Sequence, residues 1–222
     1  MRALATHSCM RPHATCGYLN ARALQVKVLQ YLQLFPSPED PALRGRLNDI
    51  LTNIIAHTVV TKSVNKNNGD HAILFEAVNL VIKHSTESKD AAQVRLRQEA
   101  IKHLGRFINI REPNIRYLGL ETMSRIAQAE GTSDDIKAHQ ASIFVSLKDA
   151  DVSIRRRALD LLFAMCDKTN VVDIVKELLL NLIVTDLVMK EEMVLKIAIL
   201  AERFAPDMKW YIDTVLQVRA WR

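Results

Sequence analysis

The sequence has little of the material from which β-sheet domains are built. Its 222 residues include six glycines, six prolines and only 5% aromatic side chains. A sandwich or barrel of many short strands needs frequent turns, which glycine and proline supply, so this scarcity argues against both folds. Composition alone therefore favours helices.

Long apolar runs are also missing. No stretch approaches the roughly 18 uncharged apolar residues of a membrane span, and the first residues contain no continuous apolar segment like that of a secretory signal. We therefore expect a soluble, intracellular protein. No acid precedes Glu39 whereas Arg2, Arg11 and Arg22 do, so an organellar transit peptide is the alternative.

Cysteine is scarce as well. Cys9, Cys16 and Cys166 cannot all pair with one another, which fits a reducing compartment, and Cys166 lies in an apolar helical pattern as a small core residue. His7 and His13 lie close to the first two cysteines, and imidazole and thiolate are good zinc ligands. Their spacing matches no standard zinc finger, so we predict a disordered segment without metal.

Enzyme signatures are absent. The sequence contains no GxxxxGK[ST], no GxGxxG after a strand, no HExxH and no GxSxG. Glu191 and Glu192 form a carboxylate pair only in sequence, since adjacent helical residues point about 100 degrees apart. The remaining histidines share no spacing: His57, His71, His84, His103 and His139. We predict no enzyme and no catalytic, cofactor-binding or metal-binding residue.

What the sequence does contain is an internal repeat. The segments ILFEAVNLVIKH, IRYLGLETMSRI, IRRRALDLLFAM and MKEEMVLKIAIL align without gaps from Ile73, Ile115, Ile154 and Met189. Their starts are 42, 39 and 35 residues apart, close to the period of HEAT and armadillo units. Counting each first residue as offset zero, offset four is mostly small and offsets five and eight are apolar. These positions are Ala77, Gly119, Ala158 and Met193; Val78, Leu120, Leu159 and Val194; and Val81, Met123, Leu162 and Ile197.

Second helices with apolar stripes lie between the aligned segments. The stripes are Val94, Ile101, Leu104 and Ile108; Val172, Val175, Leu179, Leu182 and Ile183; and, near the end, Met208, Tyr211, Ile212, Val215 and Leu216, with Trp210 unassigned. An earlier hairpin is predicted from 21–35 and 42–57, separated by three prolines. The prediction is an all-α, right-handed α-solenoid of about five HEAT/armadillo-like helical hairpins, whose uncapped ends expose apolar surface.

Junction residues agree with this division. Pro113 and Pro206 fall between predicted helices, and Asp151 is placed as an N-cap before Val152. The polar stretch 58–69, which ends at Gly69, is predicted to be a mobile loop.

The charge pattern admits two interpretations. The net charge of +5 is evenly spread, but Arg155, Arg156 and Arg157 are consecutive and could bind phosphate. At offset one, basic residues also stand at Arg116 and Lys190, and such recurrence favours a structural role in hydrogen bonding between repeats. A basic helical-repeat protein that binds nucleic acid is therefore the alternative function.

Several runs resemble the trunk of the large adaptins of clathrin adaptor complexes. They are AILFEAVNLVI (72–82), EPNIRYLGLETM (112–123), DVSIRRRALDLLFAMCD (151–167) and EEMVLKIAILAERFAPDMKWYIDTVLQ (191–217). The stretches PEDPALRGRL (38–47), LDLLFAMCD and MVLKIAILAERF are closer to the alpha class of adaptins than to the gamma class. The resemblance covers about residues 22 to 218.

This resemblance implies a non-enzymatic scaffold in clathrin-mediated endocytosis and vesicle-mediated protein transport. The implied partners are the small sigma chain, the second large chain and the medium chain, and indirectly clathrin and an anionic membrane surface, with no nucleic acid expected. The implied location is cytoplasmic, peripheral on clathrin-coated pits of the plasma membrane.

The chain departs from the family at both ends. Residues 1–20 match nothing expected upstream and are predicted to be disordered, whereas 21–222 are predicted to be an adaptin trunk truncated at both ends. The family's phosphoinositide cluster and part of its dileucine-cargo site lie near the start of the trunk, and its appendage lies near the end of the chain. Because neither region matches this sequence, no ligand-binding residue is transferred.

Overall fold

The computed structural model describes residues 13–57, 64–87, 91–130 and 133–219. These residues form eleven α-helices and no strand, which confirms the all-α prediction. The helices are α1 (His13–Leu32), α2 (Pro41–His57), α3 (Val64–Glu87), α4 (Ala91–Ile108), α5 (Pro113–Glu130), α6 (Asp134–Lys137), α7 (Gln140–Ser146), α8 (Val152–Ala164), α9 (Val171–Leu182), α10 (Leu187–Phe204) and α11 (Met208–Arg219). Taken two at a time in chain order, they follow the five predicted hairpins, with α6 and α7 together in the place of one second helix.

The chain divides into two compact units, Met1–Lys83 and His84–Arg222. In the first unit, polar contacts tie α1 to α3. Arg22 forms an ion pair with Asp70, and the side chains of Gln30 and Gln33 donate to the Glu76 carboxylate at 2.9 and 2.7 Å. These contacts join residues 22–33, from the middle of α1 to the residue after its end, to residues 70–76 of α3.

Helix α3 begins earlier than the sequence predicted. Residues 64–69 are helical, so the predicted loop is wrong over its second half, while 58–63 lie outside the described residues. A Cβ at Gly69 would lie 3.0 Å from Arg22 Cδ, which places this turn directly against α1. The first turns of α3 are polar, and Asp70 there forms an ion pair with Arg22 of α1. Hydrophobic periodicity does not reveal a polar contact of this kind.

Helix α1 begins at His13, inside the segment predicted to be disordered. Residues 13–20 therefore have helical backbone. Residues 1–12, which include His7 and Cys9, lie outside the described part of the chain, as do the side chains of His13 and Cys16.

The second unit is a stack of helical pairs. Helices α5, α8 and α10 pack in chain order, α5 against α8 and α8 against α10. The second helices also pack on them: α4 on α5, α7 on α8, and α9 and α11 on α10. Each pair contacts mainly its neighbours, as predicted for HEAT/armadillo-like hairpins.

The aligned positions of α3, α5, α8 and α10 are buried with one exception, as predicted for core residues. Nine of them have no exposed surface: Ala77, Val78, Leu120, Met123, Ala158, Leu159, Leu162, Met193 and Ile197. Burying one such leucine side chain contributes about 1.5–3 kcal/mol. Val194 is the exception and is only half-buried.

Two predicted second-helix stripes need correction. In α9, Val175 and Leu182 are buried as predicted, whereas Val172 and Ile183 are exposed. The buried residues that the stripe did not include are Val171, Ile174 and Leu178. In α11 the buried residues are Thr214 and Val218, and four of the five predicted core residues are exposed: Met208, Ile212, Val215 and Leu216. Both helices carry apolar residues on two faces, so periodicity alone could not identify the face that packs on α10.

The predicted junctions are confirmed. The Asp151 side chain accepts a hydrogen bond from the Ser153 backbone N–H at 2.8 Å, which makes it the N-cap of α8. Pro113 is the first residue of α5, and Pro206 separates α10 from α11. Cys166 is buried just after α8 ends.

Candidate protein-binding surface

Two arginines at offset one link successive repeats. Arg116 Nη1 donates to the carbonyl oxygens of Ile110 and Arg111 at 3.1 and 2.9 Å, and its Nη2 lies 2.7 Å from Asp149 Oδ2. The side chains of Arg116 and Asp149 are 18% and 16% exposed. Arg116 therefore closes the turn before its own helix and holds a carboxylate of the next repeat.

Arg155 repeats these contacts one pair later. Its Nη1 donates to the carbonyl oxygens of Asp149 and Ala150 at 3.0 and 3.3 Å, and its Nη2 lies 2.9 Å from Asp186 Oδ2. We call the set Arg116, Asp149, Arg155 and Asp186 the arginine ladder. The structural role predicted for the recurring basic residue is thereby confirmed for both arginines.

The other two members of the arginine run are also held by neighbouring side chains. Arg156 Nε lies 3.1 Å from Glu192 Oε2. Arg157 donates to the Tyr117 hydroxyl at 2.7 Å, and this hydrogen bond raises the pKa of Arg157 despite the opposing effect of burial. Lys196 bonds both Glu192, at 2.9 Å, and Asp160.

These contacts connect α5, α8 and α10 in a network outside the ladder. We call the ladder and this network together the polar edge. All three arginines of the run are bound to acceptors of the same chain, which argues against an open phosphate site there.

The turn between α8 and α9 is stabilised by a carboxylate. Asp167 Oδ1 accepts from the backbone and hydroxyl of Thr169 at 2.8 and 2.6 Å, and Lys137 Nζ lies 2.6 Å from its Oδ2. Burial raises the pKa of Asp167, but the hydrogen bonds from Lys137 and Thr169 outweigh it and lower this pKa to about 2. The same contact with Asp167 raises the pKa of Lys137. The turn thus joins α6 to the α8–α9 pair.

In contrast to the polar contacts described above, the surface between α9 and α11 is largely apolar and exposed. An open cavity of about 820 Å³ lies between the two helices. We call it the α9–α11 trough, and its lining is Val172, Val175, Lys176, Leu179, Leu180, Ile183, Trp210, Asp213, Thr214 and Gln217. Leu180 and Ile183 are each 53% exposed. Contiguous exposed apolar surface of this kind marks interaction sites.

A second open cavity, of about 670 Å³, lies between α10 and α11. Leu187, Val194 and Leu195 are among its lining residues. Val194 is half-buried here, whereas the residues at the same offset in the other three repeats are fully buried. Apolar exposure on the stacking surface of α10–α11, expected from the sequence, is confirmed for these helices.

A chemical site in the described part of the chain could consist of residues that bind a metal ion or react as a nucleophile. There, no three His, Cys, Asp or Glu side chains are placed to hold a metal ion. Burial raises the pKa of Cys166 to about 12, so its thiol stays protonated. None of the described helices is both long enough and apolar enough to span a membrane.

The trough was not predicted from the sequence. Val172 and Ile183 were expected in the core and Trp210 was unassigned, although all three line this cavity. One feature of the sequence could have indicated it. Helix α9 has more apolar residues than fit on one buried face, and Leu180 is among those left exposed.

Stacked helical pairs joined by arginine–carboxylate contacts define a helical-repeat protein. Comparison with known families then identifies the kind: a family model described as "Adaptin N terminal region" matches residues 18–219. The chain belongs to the adaptin family, and its helical-repeat solenoid fold is the one predicted.

Curated relatives agree with this assignment. The chain is 52% identical over 195 residues to AP-2 complex subunit alpha-1 of Arabidopsis thaliana, covering 88% of this chain and 19% of the relative. It is 47% identical over 209 residues to AP-2 complex subunit alpha-2 of Dictyostelium discoideum, covering 93% and 20%. Identity to AP-1 complex subunit gamma of Dictyostelium discoideum is 37% over 213 residues, covering 96% and 22%. The alpha class is thus favoured over the gamma class, as the sequence runs predicted.

The chain spans about a fifth of the length of these relatives. The matched region is therefore one part of a much longer subunit in each of them.

Proposed function

We propose that this chain is a trunk segment of an alpha-type large adaptin and acts as a non-enzymatic scaffold in a clathrin adaptor complex. Membership of the adaptin family supports this proposal, as does the higher identity to AP-2 alpha subunits than to an AP-1 gamma subunit. Its role is in clathrin-mediated endocytosis and vesicle-mediated protein transport.

The proposed partners are the small sigma chain, the second large chain and the medium chain. Clathrin and an anionic membrane surface are contacted through the assembled complex. The proposed location is peripheral, on the cytoplasmic side of clathrin-coated pits at the plasma membrane.

The arginine ladder is the observation that carries the mechanism. A scaffold must hold distant binding surfaces at fixed spacing, and in a stack of repeats each repeat is held only by contacts with its neighbours. The Arg116–Asp149 and Arg155–Asp186 contacts join neighbouring repeats, and both arginines stand at the same offset of their repeats. Rigid positioning is thus the activity that we propose for this segment.

Co-expression tests the proposal. The tagged chain is produced together with the small, medium and second large chains of an AP-2-type complex, and the purified material is analysed for stoichiometric subunits. We expect the small chain to co-purify at one copy per tagged chain. As a matched control, Arg156→Ala should retain it, because Arg156 is a half-exposed side chain outside the ladder. A folded chain that retains none of the three subunits would contradict the proposal.

The nucleic-acid alternative has a separate test. Phosphate contacts release counterions, so a nucleic-acid-binding protein loses affinity steeply as salt rises. In filter binding at two salt concentrations, we expect weak retention of RNA and DNA under both conditions, because the arginine run is engaged within the chain. Tight retention that falls steeply with salt would favour the alternative.

A further inference from the structure

The α9–α11 trough has the dimensions of a helix-binding groove. Helices α9 and α11 both pack on α10 and flank the trough from opposite sides. Each is 12 residues long, which corresponds to about 18 Å at 1.5 Å per residue. An occupant of about three helical turns would span the trough from end to end.

The trough has a buried floor of one apolar and one polar residue, and its walls are largely apolar. Val175 and Thr214 form a floor with 1% and 4% exposure. Leu180 and Ile183 project from α9 with more than half of each side chain exposed, and Trp210 lines the α11 side half-buried. Such walls can cover one apolar stripe of a partner and leave the partner's other faces in water.

The kind of occupant follows from the backbone of the walls. Both walls are α-helices, whose N–H and C=O groups are already bonded within the helix away from its ends. They offer no edge to which an extended strand could add. An amphipathic helix has its own backbone bonds satisfied and needs only side-chain contacts, so it is the peptide form that fits.

The rims of the trough carry opposite charges. Lys176 lies on the α9 rim and Asp213 on the α11 rim, both with exposed side chains, and Gln217 continues the α11 rim. A helix seated between them would place one flank near a cation and the other near an anion. An acidic residue on one flank and a basic residue on the other would therefore complement both rims.

We propose that the α9–α11 trough binds one amphipathic helix of a partner protein, with an apolar stripe at i, i+3 or i+4, and i+7, an acidic flank and a basic flank. The occupant approaches so that its acidic flank faces Lys176 and its basic flank faces Asp213. This binding does not depend on assembly into an adaptor complex.

Fluorescence of Trp210 gives a direct readout. Trp221 is the only other tryptophan, so the full chain carrying Trp221→Phe reports on the trough alone. The probes are three synthetic 12-residue helical peptides with the same leucine stripe. Their flanks are one acidic and one basic, both acidic, or both basic. We expect the mixed-flank peptide to bind at least about threefold tighter than the other two, because it avoids placing like charges together.

Two sets of variants sharpen the test. Leu180→Asp with Ile183→Asp should weaken binding of the mixed peptide by about tenfold or more, because charges replace apolar wall contacts. Lys176→Glu makes both rims acidic, so the both-basic peptide should then bind tightest. Leu195→Asp, which lies in the separate α10–α11 cavity, should leave all three affinities unchanged.

Other outcomes overturn the proposal. Equal affinity for the three peptides, or affinities that survive the Leu180 and Ile183 changes, would show that the trough is not the binding site. A dimer in sedimentation equilibrium that Leu180→Asp converts to monomer would assign the trough to a second copy of this chain instead. Subunit co-purification in the absence of peptide binding would leave the scaffold function standing and remove this inference alone.

Discussion

The polar edge and the α9–α11 trough lie in the same unit. They differ in whether their side chains already have partners within the chain. On the edge, Arg116, Arg155 and Arg157 each bond acceptors of the same chain. In the trough, Leu180 and Ile183 remain half exposed beside buried neighbours. On the polar edge, charged side chains join repeats to one another, whereas the trough leaves apolar side chains uncovered.

This difference explains why the arginine run, although conspicuous in the sequence, is not the surface that we propose for binding. Three consecutive arginines suggest an anion site, yet buried or half-buried guanidinium groups are stable only when carboxylates or carbonyls surround them. The apolar residues of α9 look like ordinary core residues. Only their position relative to α10 separates the packed face from the exposed one.

The largest loss of stability is expected when aspartates replace two leucines of the core, and the same replacement in the trough serves as the control. Leu159→Asp with Leu162→Asp buries two carboxylates at positions with no exposure, which should cost more than about 5 kcal/mol and abolish folding of the second unit. Far-ultraviolet circular dichroism with thermal melts measures this loss. The matched pair Leu180→Asp with Ile183→Asp should keep a cooperative melt. Equal loss of structure in both pairs would show that the trough is part of the core.

A tight interior contact should give the next largest effect. A Cβ at Gly105 in α4 would lie 2.2 Å from Cε1 of His139, just before α7. Gly105→Ala should therefore lower the free energy of unfolding by about 1–3 kcal/mol, as overpacked substitutions do. Adding His139→Ala removes the clash and should recover most of the loss in urea titrations. Absence of that recovery would contradict the packing of α4 against α7.

Within the polar edge, two adjacent arginines should behave differently. Arg155→Ala removes bonds to two carbonyls and to Asp186 from a side chain that is 19% exposed, and should destabilise by about 1–2 kcal/mol. Arg156→Ala removes a half-exposed ion pair and should change stability by less than about 0.5–1 kcal/mol. Urea unfolding of both variants measures the difference. If the two variants lost similar amounts of unfolding free energy, Arg155 of the arginine ladder would matter no more than the half-exposed Arg156.

The smallest expected effect is a pH dependence from Asp167. Because its folded-state pKa of about 2 lies below the ordinary 3.8, its stabilising contribution is complete above the ordinary value and is lost as pH falls from about 4 to about 2. Asp167→Asn should flatten stability across that window relative to the parent chain. The readout is the urea midpoint measured at several pH values, and an unchanged pH slope in the variant would contradict the assignment.

Repeats with strong periodicity could be predicted from sequence, and ambiguous faces could not. Leu120, Leu159 and Leu162 were assigned to the core because the same offsets recur in several segments, and the structure buries all three. The N-cap Asp151 followed from local chemistry and is confirmed. Both successes rest on information within about one helical turn or on repetition along the chain.

The failures have a common physical cause. Val172 and Ile183 were assigned to the wrong face of α9 because that face is chosen by contact with α10, which no local pattern encodes. The helical start of α3 was missed because its partner Arg22 is distant in sequence. The trough combines both difficulties, since it is formed where two helices pack on a third.

A double-mutant cycle across the arginine ladder tests the central claim most directly. Arg116→Ala, Asp149→Ala and the double variant are compared by urea unfolding, since these mostly buried groups join successive repeats at 2.7 Å. If the ladder locks the repeats together, the two changes should be coupled by at least about 1 kcal/mol. Additive effects, with coupling indistinguishable from zero, would contradict a scaffold held rigid by these contacts.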